Sequence, residues 1–374
     1  MKTRAAVLHR PGQWDVTELS LDPPKAREVL VRFAAAGLCH SDEHARTGAA
    51  PVRLPMVGGH EGAGVVEAVG PGVTRVGVGD HIVCSFVPVC GTCRYCSTGH
   101  QNMCDAGLNA AVGCLTDGTY RFHEGDRDLG AFCVLGTFSR YAVLSEWSCV
   151  KVGEDIPFDV AALVGCGVTT GWGSAVYAAG VRPGDTVVVF GVGGVGINAV
   201  QGASYAGAKN IVAVDPVAFK LESAQKFGAT HATSDPDEAH ELVVELTRGQ
   251  LADHAILTVG EMNAEVVRRG VDIVGKTSQV TVTGVGSRGE MVVQLPGGPL
   301  TGWQKRVQGA LFGAANPLYD IPRLLGLYRS GDLKLDELIT RRYRLDQVND
   351  GYRDMREGKN IRGVVIHESG DGMG

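Results

Sequence analysis

Four cysteines lie close together at Cys90, Cys93, Cys96 and Cys104, a C-x2-C-x2-C-x7-C spacing. Four thiolates suit a tetrahedral zinc ion, which accepts sulfur ligands and has no redox chemistry of its own. Gly91 and Gly99 leave the backbone free to fold tightly around an ion. Four metal-free buried thiols are one rival, though their clustering would be unexplained. A bacterial ferredoxin-type iron–sulfur run is another, but it has three residues before its last cysteine and a proline after it. Here there are seven residues, and Asp105 follows. The spacing predicts a closed, structural zinc. A second pattern, Gly191-Val192-Gly193-Gly194-Val195-Gly196, reads G-x-G-x-x-G. Alone it is a weak signal in a chain with 53 glycines. It follows the apolar run Thr186–Phe190 and opens a small-residue helix, the context in which such a loop holds a dinucleotide pyrophosphate. Asp215 ends the next strand, nineteen residues after Gly196. A carboxylate there bonds a ribose 2′-hydroxyl and repels a 2′-phosphate. These residues point to NAD rather than NADP, against the plainer reading of Asp215 as a turn residue before Pro216.

Three further segments carry ligand-type residues: Cys39-His40-Ser41-Asp42-Glu43-His44, Gly58-Gly59-His60-Glu61-Gly62-Ala63-Gly64 and Val164-Gly165-Cys166-Gly167-Val168-Thr169-Thr170. A catalytic zinc needs three protein ligands and one open position, which two Cys and one His would meet. Spacing alone does not assign them. Singly, Cys39 and Cys166 read as small core residues and His60 as a structural histidine.

In combination, GHEGAG, the upstream CHSD, the four-cysteine lobe and the downstream GCGVTTG resemble the zinc-dependent medium-chain alcohol dehydrogenases, over about residues 5 to 368. The resemblance implies two zinc ions per chain, with Cys39, His60 and Cys166 as ligands of the catalytic one, the Cys2His set known for that family. It implies that Asp42 orients the ligand histidine and that Glu61 approaches the metal during ligand exchange. Ser41 would take the substrate proton, and His44 would pass it to solvent through the cofactor ribose. His40 stands where an arginine commonly contacts the cofactor pyrophosphate. Arg362, which unaided reads as a surface arginine, matches a second pyrophosphate contact. Lys220 matches a contact to the adenosine ribose, and Thr170 and Val195 match residues against the nicotinamide. Phe86 and Ala50 would line the alcohol pocket, Ala50 leaving room for a bulky substrate.

Within the family, Leu163 to Val176, Phe312 to Pro322 and Asn349 to Tyr352 through Arg362-Gly363 resemble the bacterial nicotinoprotein alcohol dehydrogenases, assayed with N,N-dimethyl-4-nitrosoaniline. The implied reaction oxidises primary alcohols to aldehydes, with NAD held tightly and reoxidised in place. The peptide-derived carrier mycofactocin is the implied electron acceptor. An ordinary dehydrogenase with dissociable NAD is the alternative. Glutathione-dependent formaldehyde dehydrogenases carry an acid at the position of Ala50 and an arginine at that of Leu108, and neither charge is present. A non-enzymatic NAD-binding redox sensor on the same scaffold is the reading from another class, disfavoured because zinc ligands, Ser41 and His44 are all intact.

These residues need two kinds of scaffold. Up to about residue 167 the chain reads as all-β with Gly/Pro-rich turns, including runs at Val29–Phe33, Gly64–Val69 and His81–Cys84. From about 168 strands alternate with helices, as in a parallel sheet. The expected fold is a GroES-like β-rich catalytic domain (1–167 and 316–374, with the structural zinc lobe at about 84–110) plus a Rossmann NAD-binding domain of doubly wound α/β type (168–315). Net charge is −6, with 6% aromatic residues, which gives no footprint for nucleic acid and no polybasic membrane anchor. No apolar run reaches ~18 residues, and Met1–Arg10 has no signal-peptide core, so a cytoplasmic location is expected. A homodimer or higher homo-oligomer is implied by resemblance, through edge strands near 280–312.

Overall fold

The computed structural model describes residues 1–284 and 295–367. Packing divides the chain into two units, one of Met1–Cys166 with the chain from Asn316 onward, the other of Gly167–Ala315.

In the first unit, Lys2–Leu8, Asp15–Leu21, Phe122–Glu124, Arg127–Ala131 and Met56–Val57 close into a small barrel. Closure leaves no free strand edge. Beside it lies a seven-stranded sheet whose hub is Glu28–Gly37, paired with Glu61–Val69, Tyr141–Ser145 and Arg362–Ile366. Alternation along the hub buries Val29, Val31 and Phe33 in the shared core. Register does the work of gathering the site. Gly37 pairs with Glu61, and Val364 pairs with the same Gly37. The end of the hub strand, the start of Glu61–Val69 and Arg362 thus meet, although Glu61 and Arg362 lie 301 positions apart. Gly62 pairs with Cys84, which brings Phe86, two residues on, towards His60.

The expectation of an all-β N-terminal part needs correction. A helix spans His40–Thr47, and another spans Phe158–Val164. The first starts directly after Cys39 and stops at Gly48, whose φ of 82° gives a left-handed end. Asp42 and Glu43 fall in its first turn, where carboxylates oppose the positive end of the helix dipole.

The second unit is a six-stranded parallel sheet in the spatial order His231–Thr233, Asn210–Val214, Thr186–Phe190, Ala252–Leu257, Val274–Val282, Arg306–Gly309. In sequence order within the unit this is 3-2-1-4-5-6, the Rossmann arrangement. Thr186–Phe190 is buried along its whole length, as a strand covered by helices on both faces must be. Arg306–Gly309 forms the edge of this sheet. Within the stretch expected to carry a dimer contact, residues 285–294 lie outside the described residues. Among the described residues, no single helix is long and apolar enough to cross a membrane.

Candidate active site and metal centres

Cys39, His60, Glu61 and Cys166 offer ligand atoms that all lie within 4.8 Å of one another. Each comes from an element end: Cys39 from the start of the helix His40–Thr47, His60 and Glu61 from the start of Glu61–Val69, and Cys166 from just beyond the helix Phe158–Val164. His60 Nδ1 lies 2.9 Å from Asp42 Oδ2, and both side chains are buried. Asp42 Oδ1 also accepts the Gly59 N–H at 2.9 Å. The ring is thus turned so that Nε2 is the nitrogen left to face the two sulfurs. A carboxylate behind the imidazole is the usual partner of a metal-bound histidine. Phe132 and Phe86 meet the His60 ring edge to face, at centroid separations of 5.4 and 5.8 Å.

The electrostatics suit a cation. A hydrogen bond from Cys166 takes the Cys39 thiol well below its ordinary value, against the opposing effect of burial. The same bond and burial push Cys166 well up, so this pair shares one proton readily. Burial alone would lower His60, but the Asp42 carboxylate and the two sulfurs raise it well above its ordinary value. Two thiol sulfurs and an imidazole are donors that zinc prefers.

Glu61 is buried, and burial pushes its carboxyl up to about 7 although Arg362 opposes the shift. Arg362 Nη2 donates to Glu61 Oε2, and to the Leu38 carbonyl at 3.1 Å. The surface reading of Arg362 is therefore overturned: the residue is 3% exposed and faces the carboxylate of the ligand cluster.

On the short helix, Ser41 Oγ lies 3.8 Å from Cys39 Sγ. His40 is exposed at the helix start, its ring 6.4 Å from that of His44. Ala50 N–H donates to the His44 carbonyl at 2.9 Å, which sets Ala50 beside the proton-relay candidate.

The four cysteines of the lobe form a second cluster, also within 4.8 Å of one another. Cys90 Sγ and Cys96 Sγ are 4.0 Å apart, as are Cys93 and Cys104. Zinc–sulfur bonds of ~2.3 Å in a tetrahedron put sulfurs about 3.8 Å apart, so the spacing fits an ion at the centre. Backbone N–H groups of Thr92 and Cys93 point at Cys90 Sγ, and that of Cys90 at Cys104 Sγ. Such donors stabilise thiolate charge. Cys90 accordingly falls to about 6, despite partial burial.

In the second unit, the turn after Thr186–Phe190 is shaped by its glycines. Gly191 has φ 83°, and a Cβ there would sit 2.9 Å from the Val259 backbone. A Cβ on Gly196 would strike the Gly191 carbonyl, whereas one on Gly193 would meet nothing within 4 Å. Two glycines thus serve the fold, and Gly193 leaves open space over the N-terminal end of the helix Gly196–Tyr205. Asp215 Oδ2 accepts the Val192 N–H and Oδ1 the Val217 N–H, each at 3.0 Å, with Lys220 Nζ 3.9 Å away. That fixes the Asp215 carboxylate at the end of Asn210–Val214. Among the described residues, Thr170 Oγ1 is buried with no hydrogen-bond partner, an orphan of the kind a bound polar group satisfies. Gly194 and Val195 complete the loop.

Sequence reasoning missed Phe132 and the ion cluster behind the short helix. Glu43 takes Arg46 at 2.7 Å on both oxygens and Arg356 Nη1 at 2.9 Å. The only local sign was an i,i+3 acid–base pair, and nothing nearby announced Arg356.

Two metal-type clusters in a barrel-and-sheet unit, joined to a Rossmann sheet with an intact glycine turn, define a zinc-type dehydrogenase. Comparison with known proteins agrees. Residues 25–154 match the alcohol dehydrogenase GroES-like domain, and residues 194–329 match the zinc-binding dehydrogenase family. The chain is 56% identical to the NDMA-dependent alcohol dehydrogenase of Amycolatopsis methanolica over 370 residues, covering 99% of this chain and 100% of that one. It is 46% identical to alcohol dehydrogenase B of Mycobacterium tuberculosis, over 99% and 100% of the two chains. The crystal structure of benzyl alcohol dehydrogenase from Acinetobacter calcoaceticus superposes with a TM-score of 0.91 at 32% identity, over 98% of this chain and 100% of that one. The chain belongs to the zinc-dependent medium-chain alcohol dehydrogenase family and is an alcohol dehydrogenase.

Proposed function

We propose that this enzyme oxidises primary alcohols to aldehydes with one zinc on Cys39, His60 and Cys166, a second on Cys90, Cys93, Cys96 and Cys104, and an NAD that stays bound between turnovers. The observation that carries the reading is the Cys39–His60–Cys166 cluster, with His60 and Cys166 buried and His60 braced by Asp42. A zinc there supplies Lewis acidity that lowers the pKa of the alcohol. Ser41 accepts the hydroxyl proton and His44 passes it outward. Asp42 holds His60 in the tautomer that leaves Nε2 for the metal. Phe86 and Phe132 keep water from the face of the ring, and Ala50 leaves room for the alcohol side chain. Glu61, held by Arg362, stands within reach of the ligand cluster as a fourth donor during ligand exchange. Gly191, Gly193, Gly194 and Gly196 would hold the pyrophosphate of NAD, Asp215 and Lys220 its ribose, and Thr170 and Val195 would lie against the nicotinamide, which would accept the hydride. His40 and Arg362 remain the candidates for further pyrophosphate contacts.

Retention of NAD is supported by similarity to the NDMA-dependent relative from Amycolatopsis methanolica. An external carrier, with mycofactocin as the candidate, would then reoxidise the cofactor in place. Pairing of the edge strand Arg306–Gly309 with a second copy is the proposed route to a dimer.

Metal analysis tests the zinc assignment. Wild type loaded with zinc should hold about two ions per chain, and Cys166→Ala one, without activity. A wild type that binds only one, or a Cys166→Ala protein that keeps both, would contradict it.

A further inference from the structure

Tyr352 is fully buried on the C-terminal helix Val348–Arg356, in the core formed with Trp14, Leu38 and Phe138. Its ring is caged by Trp14 at a centroid separation of 6.3 Å and Phe138 at 6.2 Å. The same two rings press on Gly58, where a Cβ would come within 2.9 Å of Phe138 and still nearer to Trp14. The next residue, Gly59, donates its N–H to Asp42. The cage therefore holds Tyr352 against the segment that leads into His60.

A second restraint acts from the other side. Arg356, four residues after Tyr352 on that helix, bonds Glu43, which neighbours Asp42 on the helix His40–Thr47. The two helices are clamped by an ion pair, with Arg46 gripping the same carboxylate. Between cage and clamp, the Tyr352 hydroxyl and Asp42 Oδ2 are both buried with no hydrogen-bond partner among the described residues, and Asp42 is the foremost charge acting on the phenol. Burial and then the Asp42 charge keep the phenol well above its ordinary value, so the hydroxyl is a donor. Asp42 has the capacity to receive it. A carboxylate offers about four lone-pair positions; the Gly59 N–H takes one, and His60 Nδ1 lies 2.9 Å from the other oxygen. Tyr352 lies in a stretch that resembles the nicotinoprotein branch, but that resemblance gives it no role at the metal, the cofactor or the substrate.

We propose that Tyr352 is a positioning residue for the metal site: its hydroxyl donates to Asp42, locks the carboxylate that orients His60, and so slows loss of zinc from Cys39, His60 and Cys166. The proposal rests on those three residues being the ligands. Tyr352 touches neither metal nor substrate and acts only through Asp42.

The test is the rate of zinc release into a colorimetric chelator, measured on the whole protein. Wild type should show two phases, one of which Cys166→Ala lacks. In Tyr352→Phe that phase should quicken about tenfold, since groups supporting a metal ligand commonly matter by 10–100-fold and this one acts at one remove. The phase from the four-cysteine lobe should not change, and kcat should fall with little change in KM for the alcohol. Val348→Ala, in the same buried helix face, should lower Tm without altering the catalytic-site phase. Release from Tyr352→Phe at the wild-type rate would overturn the proposal, as would equal quickening by Val348→Ala. Quickening by Asp42→Asn but not by Tyr352→Phe would overturn it alone and leave the ligand assignment standing. Absence from wild type of a phase that Cys166→Ala removes would overturn both.

Discussion

Arg362→Met separates two roles for one arginine. In the structure its guanidinium faces Glu61, with side-chain exposures of 4% and 0%. Above pH 7, where Glu61 is ionised although burial raises it to about 7, removing the arginine leaves a charge facing a low-dielectric core, a change that commonly costs about 3–5 kcal/mol. For the unit that contains it, this corresponds to a drop in Tm of about 6–20 °C, at ~2–4 °C per kcal/mol. Glu61→Gln combined with Arg362→Met removes both charges, and should recover most of the loss because two neutral groups no longer need each other. The assay is urea unfolding of protein stripped of nucleotide, followed by the same measurement with NAD added. The buried Glu61–Arg362 pair predicts that the single variant is unstable without NAD. A loss below about 1 kcal/mol, the worth of an exposed pair, would refute the argument. If instability then appeared only in the NAD-bound comparison, the arginine would belong to the pyrophosphate instead.

Cys93→Ser should empty the lobe of metal and lower Tm by several degrees, with zinc content falling to about one per chain, as metal analysis and calorimetry would show. Gly196→Ala should lose NAD retention and stability together, because its Cβ strikes the Gly191 carbonyl; nucleotide content after gel filtration reads the first and unfolding the second. Burial alone would raise Glu43, but Arg46 and Arg356 hold it below the ordinary 4.5. The folded state therefore binds fewer protons there, so its contribution is present above pH ~4.5 and lost as pH falls through the lowered value. Acid unfolding of Glu43→Gln should be less steep than that of wild type in that range.

What the sequence revealed was mainly local. The four-cysteine lobe and the glycine turn each lie within a short stretch, and the continuous apolar run Thr186–Phe190 can hardly be other than a buried strand. The helix His40–Thr47 was not legible for a physical reason. It buries Asp42, Glu43 and Ala45 rather than an apolar stripe, so hydrophobic periodicity, the signal by which helices are read, is absent. It is held by Asp42 lying against the buried His60 and by Glu43 binding Arg46 on the same helix and the half-exposed Arg356 on Val348–Arg356. Phe132 was equally hidden: it reaches His60 from a turn whose next two residues, Cys133 and Val134, have φ of 52° and 58°, a conformation no residue type there announces. The Glu61–Arg362 pair is created by strand register alone, and register over that separation is not written in either motif.

The nucleotide content of the purified protein tests the account most directly. The protein would be gel-filtered extensively without added cofactor, then divided between denaturation to release bound NAD(H) and an assay with a primary alcohol, N,N-dimethyl-4-nitrosoaniline and no NAD. The account predicts close to one NAD(H) per chain, steady turnover with the nitroso acceptor, and little effect of added NAD, since retention is a matter of slow dissociation. A cofactor-free protein that produces NADH steadily from added NAD would contradict it and leave an ordinary NAD-dependent alcohol dehydrogenase.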